Sequence, residues 1–156
     1  MGRLRDIHAQ DLPAPADMKI YVYYIGRAKD PHANALTKEF LERAARYNAV
    51  ELREIRPDRI DLWGKHPSGR KILLDPAGKM VDSVEFAALV SKAVTEARDL
   101  VFVLGGHDGL PKGWAARADL RLSLSPLTFP HELARAVLAE QIYRAFATLR
   151  GHPYPR

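Results

Sequence analysis

The residues in this chain able to do chemistry gather in its last third, in three groups. Gly105 and Gly106 directly follow an apolar run, and Gly109 closes the same loop. Glycine there lets the backbone approach a ligand that any β-carbon would block, although a tight turn with no ligand uses the same residues. The spacing is not GxGxxG and no P-loop lysine follows, so readings as a dinucleotide or nucleoside triphosphate site lose their usual support. The second group is Ser125-Pro126-Leu127-Thr128-Phe129-Pro130, where prolines stiffen a loop whose backbone amides and carbonyls are left to bind an adenine edge. Beside it His131 falls at the start of a long helix, whose positive end favours a neutral imidazole able to accept a hydrogen bond. A simple helix cap is the plainer reading. The third group is basic: Arg135 and Arg144 fall off the apolar stripe of that helix, and Arg150, His152, Tyr154 and Arg156 follow it. Together they make either a solvated surface or a cationic face with an aromatic for stacking on a base.

The elements that must position these groups read as alternating strands and helices. KIYVYYIG is a buried strand closed by glycine, and Asp30 with Pro31 opens a helix carrying Leu36, Phe40, Leu41, Ala44 and Tyr47 at helical spacing. Val50 to Ile55 is a second strand, and the proline- and glycine-punctuated stretch RPDRIDLWGKHPSGR reads as loop. Ile72 to Leu74 is a third strand ended by the turn Pro76-Ala77-Gly78. Asp82 and Glu85 then form a capping box ahead of a helix with Phe86, Leu89, Val90, Ala93, Val94 and Ala97 inward. Leu100 to Leu104 is almost free of polar atoms, as a strand covered on both faces would be, and Leu120 to Leu124 is a shorter strand. Glu132 to Leu149 is the longest helix, with Leu133, Ala134, Val137, Leu138, Ile142, Ala145, Phe146 and Leu149 as its stripe. This order predicts an α/β fold, a mostly parallel sheet flanked by helices, with ligands beyond the strand ends at Leu74, Leu104 and Leu124.

Composition sets the outer limits. A chain of 156 residues is the size of one domain, and 47% apolar with 28% charged residues is typical of a soluble globular protein. No apolar run is long enough to span a membrane and the start carries no secretory signal, so a cytoplasmic location is expected. Cysteine is absent and the six histidines show no HxxH or HExxH spacing, so no metal is expected. A net charge of +5 and a pI near 9.6 favour an anionic partner such as nucleic acid. Residues 1–17, with Pro13 and Pro15 and no period, read as a flexible extension ahead of a single domain over residues 18–156.

Taken as one unit, VFVLGGHDGLPKGW, LRLSLSPLTFPHELARAVLAEQIYRAF and RGHPYPR resemble the C-terminal half of the RlmH family, small SPOUT-class methyltransferases of ribosomal RNA. The likeness runs from about Met18 to Arg156 and is densest from Leu100 onward, through the glycines, the Leu124 to His131 loop, the Tyr143-Arg144 pair and the His-Pro-Tyr tail. It implies a SPOUT fold with a C-terminal trefoil knot, S-adenosylmethionine held in that knot, and a homodimer with the site at its interface. It further implies cofactor contacts from Leu74, Gly105, Gly106 and the loop Ser125 to Pro130. Arg144, Tyr154, Arg156 and His131 would do the chemistry, and Arg135, Arg150 and His152 would face RNA. The implied substrate is 23S ribosomal RNA on the assembled ribosome, methylated at N3 of a pseudouridine.

Three features depart from the family pattern. Pro155 stands where the family tail has a second histidine, the stretch between Ile55 and Ile72 is shorter than the family's, and residues 1–17 have no counterpart. Pro155 can neither accept a proton nor donate a backbone amide, which raises a second class: an RNA- or ribosome-binding relative without the chemistry. A third class is an α/β binder of a small molecule whose basic charge is incidental.

Overall fold

The computed structural model describes residues 18–154, so the expectations for residues 1–17, Pro155 and Arg156 lie outside the described residues. Five strands, β1 (Lys19–Ile25), β2 (Ala49–Ile55), β3 (Arg70–Met80), β4 (Leu100–Leu104) and β5 (Leu120–Ser123), form one sheet in the order β2-β1-β4-β3-β5. Every pairing is parallel. Five helices connect them: α1 (Pro31–Ala44), α2 (Leu62–Lys65), α3 (Ser83–Glu96), α4 (Trp114–Arg117) and α5 (His131–Leu149).

Period-two alternation decides which side chain goes to which face. Ile20, Val22, Ile72, Leu100, Phe102, Leu104 and Leu122 point into the larger core under α1, α3 and α5. Tyr23, Leu73, Val101 and Val103 point the other way, into a smaller core closed by Leu62, Trp63 and Trp114 from the short helices. Strand β4 is buried along its whole length, which is why it carries no polar residue.

The local signals act as expected at both capped helices. Asp30 accepts from the amides of His32 and Ala33 with Pro31 at the first position of α1, and Asp82 and Glu85 complete a reciprocal capping box on α3. Two expectations change. Strand β3 does not end at Pro76: Leu74 and Lys79 both pair with Leu122, so residues 75–78 bulge out and the strand resumes to Met80. Asp75 closes the bulge by accepting from the Ala77 amide, and a β-carbon on Gly78 would lie 2.6 Å from the Arg121 backbone. The stretch read as loop contains a 3-10 turn at Pro57–Arg59 and the helix α2, which Asp61 caps through the Gly64 amide.

Helix α5 lies against both α1 and α3. Its buried positions are Arg135, Ala136, Leu138, Ala139, Ile142, Tyr143, Ala145, Phe146 and Ala147, while Leu133 is 41% exposed. The covered face is therefore broader than the expected stripe and rotated from it, because two neighbouring helices and the sheet enclose the helix.

Candidate functional site

A cavity of about 510 Å³ opens at the carboxyl ends of β3, β4 and β5, where an open parallel sheet binds its ligands. Its walls come from three loops. Leu74, Asp75 and Pro76 enter from the β3 bulge, the glycine loop and segment 110–113 follow β4, and Leu124, Ser125, Leu127 and Phe129 follow β5. His131 and Ala134 of α5 complete it.

Close backbone packing explains the glycines of this loop. A β-carbon on Gly105 would lie 2.7 Å from the Gly109 carbonyl carbon, and one on Gly106 would lie 2.5 Å from the Ile25 carbonyl oxygen. Gly109 adopts φ 76° and donates to the Gly106 carbonyl at 3.0 Å, turning the chain back along the cavity. The Ser125 loop is held from within: Ser123 Oγ donates to the Ser125 carbonyl, and the Leu127 amide donates to Ser125 Oγ, each at 3.0 Å. Asp75 stands at the rim with its carboxyl below the usual range, held there by the Ala77 amide and then by Arg121, whose Nη2 lies 2.6 Å from Oδ2.

The two ends of α5 differ. At the N-terminal end His131 lines the cavity and also a shallower hollow of about 370 Å³ between α5 and α1. Next to it Glu132 accepts from the Lys29 amide at 2.6 Å, the Asp30 amide at 3.0 Å and Asn34 Nδ2 at 3.0 Å. Those bonds, the Asp30 and Lys29 amides foremost, bring its carboxyl down to about 2. One carboxylate thus fastens the loop after β1 to the helix that carries His131.

At the other end Glu140 is the organiser. It accepts from Arg144 Nη2 at 2.8 Å and Nε at 3.1 Å, and from the Tyr154 hydroxyl at 2.6 Å. Tyr154 packs on Tyr143 with ring centroids 4.7 Å apart and faces Phe40 of α1. Burial, then the bond to Glu140, pushes its phenol up to about 12. His152 is exposed and accepts the Tyr154 amide on Nδ1 at 3.1 Å, and Arg150 is half-buried as the cap of α5. Arg144 and Tyr154 do not line the cavity, and Arg144 lies thirteen positions along the helix from His131, which is about 20 Å at 1.5 Å per residue.

A family model described as "Predicted SPOUT methyltransferase" matches residues 18–155. The chain belongs to the SPOUT methyltransferase family. Within it, a ribosomal RNA large subunit methyltransferase H from Solibacter usitatus is 69% identical over 139 residues, covering 89% of this chain and 100% of the relative. Among solved structures, a probable methylase family protein from Haemophilus influenzae Rd KW20 superposes with a TM-score of 0.56 at 10% identity, over 90% of this chain and 71% of that one. An AdoMet-bound rRNA methyltransferase from Sinorhizobium meliloti gives 0.51 at 15% identity, over 92% of this chain and 60% of that one. At such identities the two structures speak for the fold alone.

In this SPOUT methyltransferase the sequence-predicted cofactor residues converge in part. Leu74, Gly105, Gly106, Ser125, Leu127 and Phe129 line one cavity, whereas Pro126, Thr128 and Pro130 lie in the same loop without lining it. Sequence reasoning missed Asp75, His107 and Lys112, which add polar groups to that wall; only the bulge in β3 and the length of the glycine loop could have signalled them. It also missed Glu140, whose signal was its spacing of four from Arg144 on one helix face.

Arg135 is a correction. Expected on an exposed basic face, it is wholly buried, with its guanidinium 4.0 Å from the Tyr24 ring centroid and Nη2 3.4 Å from the Ile25 carbonyl oxygen. Burial lowers the pKa of the group below its ordinary value, against the pull of Glu132, whose Oε1 lies 3.9 Å from Nη1. Packing of α5 on both sides leaves this position no route to solvent. Arg135 therefore supports the wall behind Gly106 from inside and does not reach a phosphate in this structure.

Among the described residues no helix is long and apolar enough to cross a membrane, and no group of three or more His, Cys, Asp or Glu side chains is placed to hold a metal.

Proposed function

We propose that this SPOUT methyltransferase is a cytoplasmic homodimer that transfers a methyl group from S-adenosylmethionine to N3 of a pseudouridine in 23S ribosomal RNA, on the assembled ribosome. In this reading residues 18–156 form one domain behind an N-terminal extension, and the cofactor loops belong to a C-terminal trefoil knot. The 69% identical relative named for the large ribosomal subunit supports the substrate, and membership of the SPOUT methyltransferase family supports a methyl donor.

The observation that carries the reading is the cavity at the ends of β3, β4 and β5. Its residues fit the donor: Leu74, Leu104, Leu122, Leu124, Leu127 and Phe129 make apolar walls for an adenosyl group, and Asp75 offers an ionised carboxylate to polar hydroxyls or a cationic centre. Bound there, S-adenosylmethionine would supply an electrophilic sulfonium methyl. The residues of the chain must then align the base and favour loss of its imide proton, which is a task of placement and local electrostatics. His131, which lines the cavity, would accept that proton, directly or through water. Arg144, held rigid by Glu140, would stabilise the developing negative charge on the base, and Tyr154 would offer it a stacking face.

Within one chain these groups lie too far from His131 to share a substrate, about 20 Å along α5. That separation supports a site completed across two protomers, with the cavity and His131 from one and the Arg144 and Tyr154 cluster from its partner. Methyl transfer from labelled S-adenosylmethionine to ribosomes lacking the mark tests the reading, and no transfer at saturating donor overturns it. Pro155 favours a second reading, an RNA-binding relative with impaired chemistry. In that case P155H creates activity absent from the parent, and an active parent dismisses it.

A further inference from the structure

The cavity wall after β4 has little structure of its own. Leu110, Pro111, Lys112, Gly113 and Ala115 line it, yet α4 is four residues long, follows Gly113 at φ 91° and has no side-chain cap. Its backbone bonds are few: the Trp114 amide reaches the Pro111 carbonyl at 3.3 Å and the Ala118 amide reaches Trp114 at 3.0 Å. A single turn cannot hold itself in water, so something outside it fixes its place.

That something is on α2, in the stretch whose sequence reads as a shortened loop. Trp114 belongs to the wall segment but does not line the cavity; it packs edge-on against Trp63, with ring centroids 5.5 Å apart at 79°. Trp63 Nε1 donates to the Arg117 carbonyl at 3.1 Å, and the Arg117 guanidinium lies 4.2 Å from the Trp63 ring centroid. One indole therefore grips both ends of α4. These are the only two tryptophans in the sequence.

We propose that Trp63 is a positioning residue for ligand binding: through Trp114 and Arg117 it anchors segment 110–115 as a preformed wall of the cavity, and so sets the affinity for the methyl donor. The proposal rests on the reading of the cavity as the S-adenosylmethionine site. Pre-organisation is the physical reason, since a wall already in place loses no freedom when the ligand arrives.

The test uses the full chain as wild type, W63A, W63F and R117A, with two readouts. In hydrogen exchange, the amides of Trp114 and Ala118 exchange faster in W63A while those of β4 keep their protection. In calorimetry, W63A binds S-adenosylmethionine about tenfold more weakly, equal to about 1.4 kcal/mol. W63F, which keeps the ring contact and loses the N–H donor, falls between W63A and wild type. Should W63A fail to fold, W63F and R117A carry the same comparison. Unchanged exchange at Trp114 and Ala118 overturns the anchor, and affinity within twofold of wild type in a folded W63A overturns its role in binding. If the wild-type protein itself binds no S-adenosylmethionine, the cofactor reading falls with the affinity claim, while the exchange readout still decides whether Trp63 holds the wall.

Discussion

The two ends of helix α5 are built by different physical means. At the N-terminal end the chain builds a concave space from backbone turns and apolar walls, and its charged groups are fastened inward: Arg135 lies under the wall and Glu132 bonds three N–H donors. At the C-terminal end stands a half-buried charged and aromatic cluster, where Glu140 holds Arg144 and Tyr154 in one orientation. The first end can exclude water and hold a ligand; the second can meet one. The contrast teaches that affinity for the donor and turnover of the base should respond to different substitutions.

The largest expected effect breaks the C-terminal end. R144A should lower methyl transfer by about 10²–10³, the scale for removing a group that stabilises transition-state charge, while calorimetric affinity for S-adenosylmethionine stays at the wild-type value. E140A should follow in the same direction by about tenfold or more, since it frees Arg144 and Tyr154 without removing either; equal loss of donor affinity would contradict the division of labour. At the other end, G106A places a β-carbon 2.5 Å from the Ile25 carbonyl oxygen. It should weaken donor binding and cost about 1–3 kcal/mol in a denaturant titration, the usual range for overpacking.

Two smaller effects sharpen the comparison. The Glu132 carboxyl is held at about 2 against an ordinary 4.5. Its stabilising contribution is complete above the ordinary value and is lost as pH falls toward the lower one. E132Q should flatten the acid limb of the melting temperature measured across that window, and a wild-type slope retained in E132Q would assign it elsewhere. Y154F removes one part-buried hydroxyl bond to Glu140 and should cost about 1 kcal/mol in a thermal melt, with the fold intact.

Much of this was legible in the sequence where a local rule matches the tertiary outcome. The caps at Asp30 and Asp82 and the unbroken apolar run of β4 depend on neighbours in sequence or on simple two-sided burial, so residue types alone announce them. The cavity was legible through the glycines and the proline-bracketed loop, because turns leave compositional marks. What escaped depends on distant partners. Arg135 reads as surface until α1 and α3 are seen on either side of α5, and the pairing of Trp63 with Trp114 joins residues fifty-one positions apart. The bulge at Asp75 escaped because a turn that ends a strand and one that only interrupts it use the same residues, and pairing with β5 decides between them. His131 and Arg144 were grouped by likeness to a family, and helix geometry separates them within one chain.

The larger core is completed by side chains near the C-terminus: Leu138, Ile142 and Phe146 of α5 are fully buried between earlier helices and the sheet. During synthesis all five strands must therefore wait, with apolar surface uncovered, until the final helix emerges to close over them. A product truncated before α5 would lack both the lid of its hydrophobic interior and every basic side chain from Arg135 onward. Quality control would meet such a fragment as an unfolded chain.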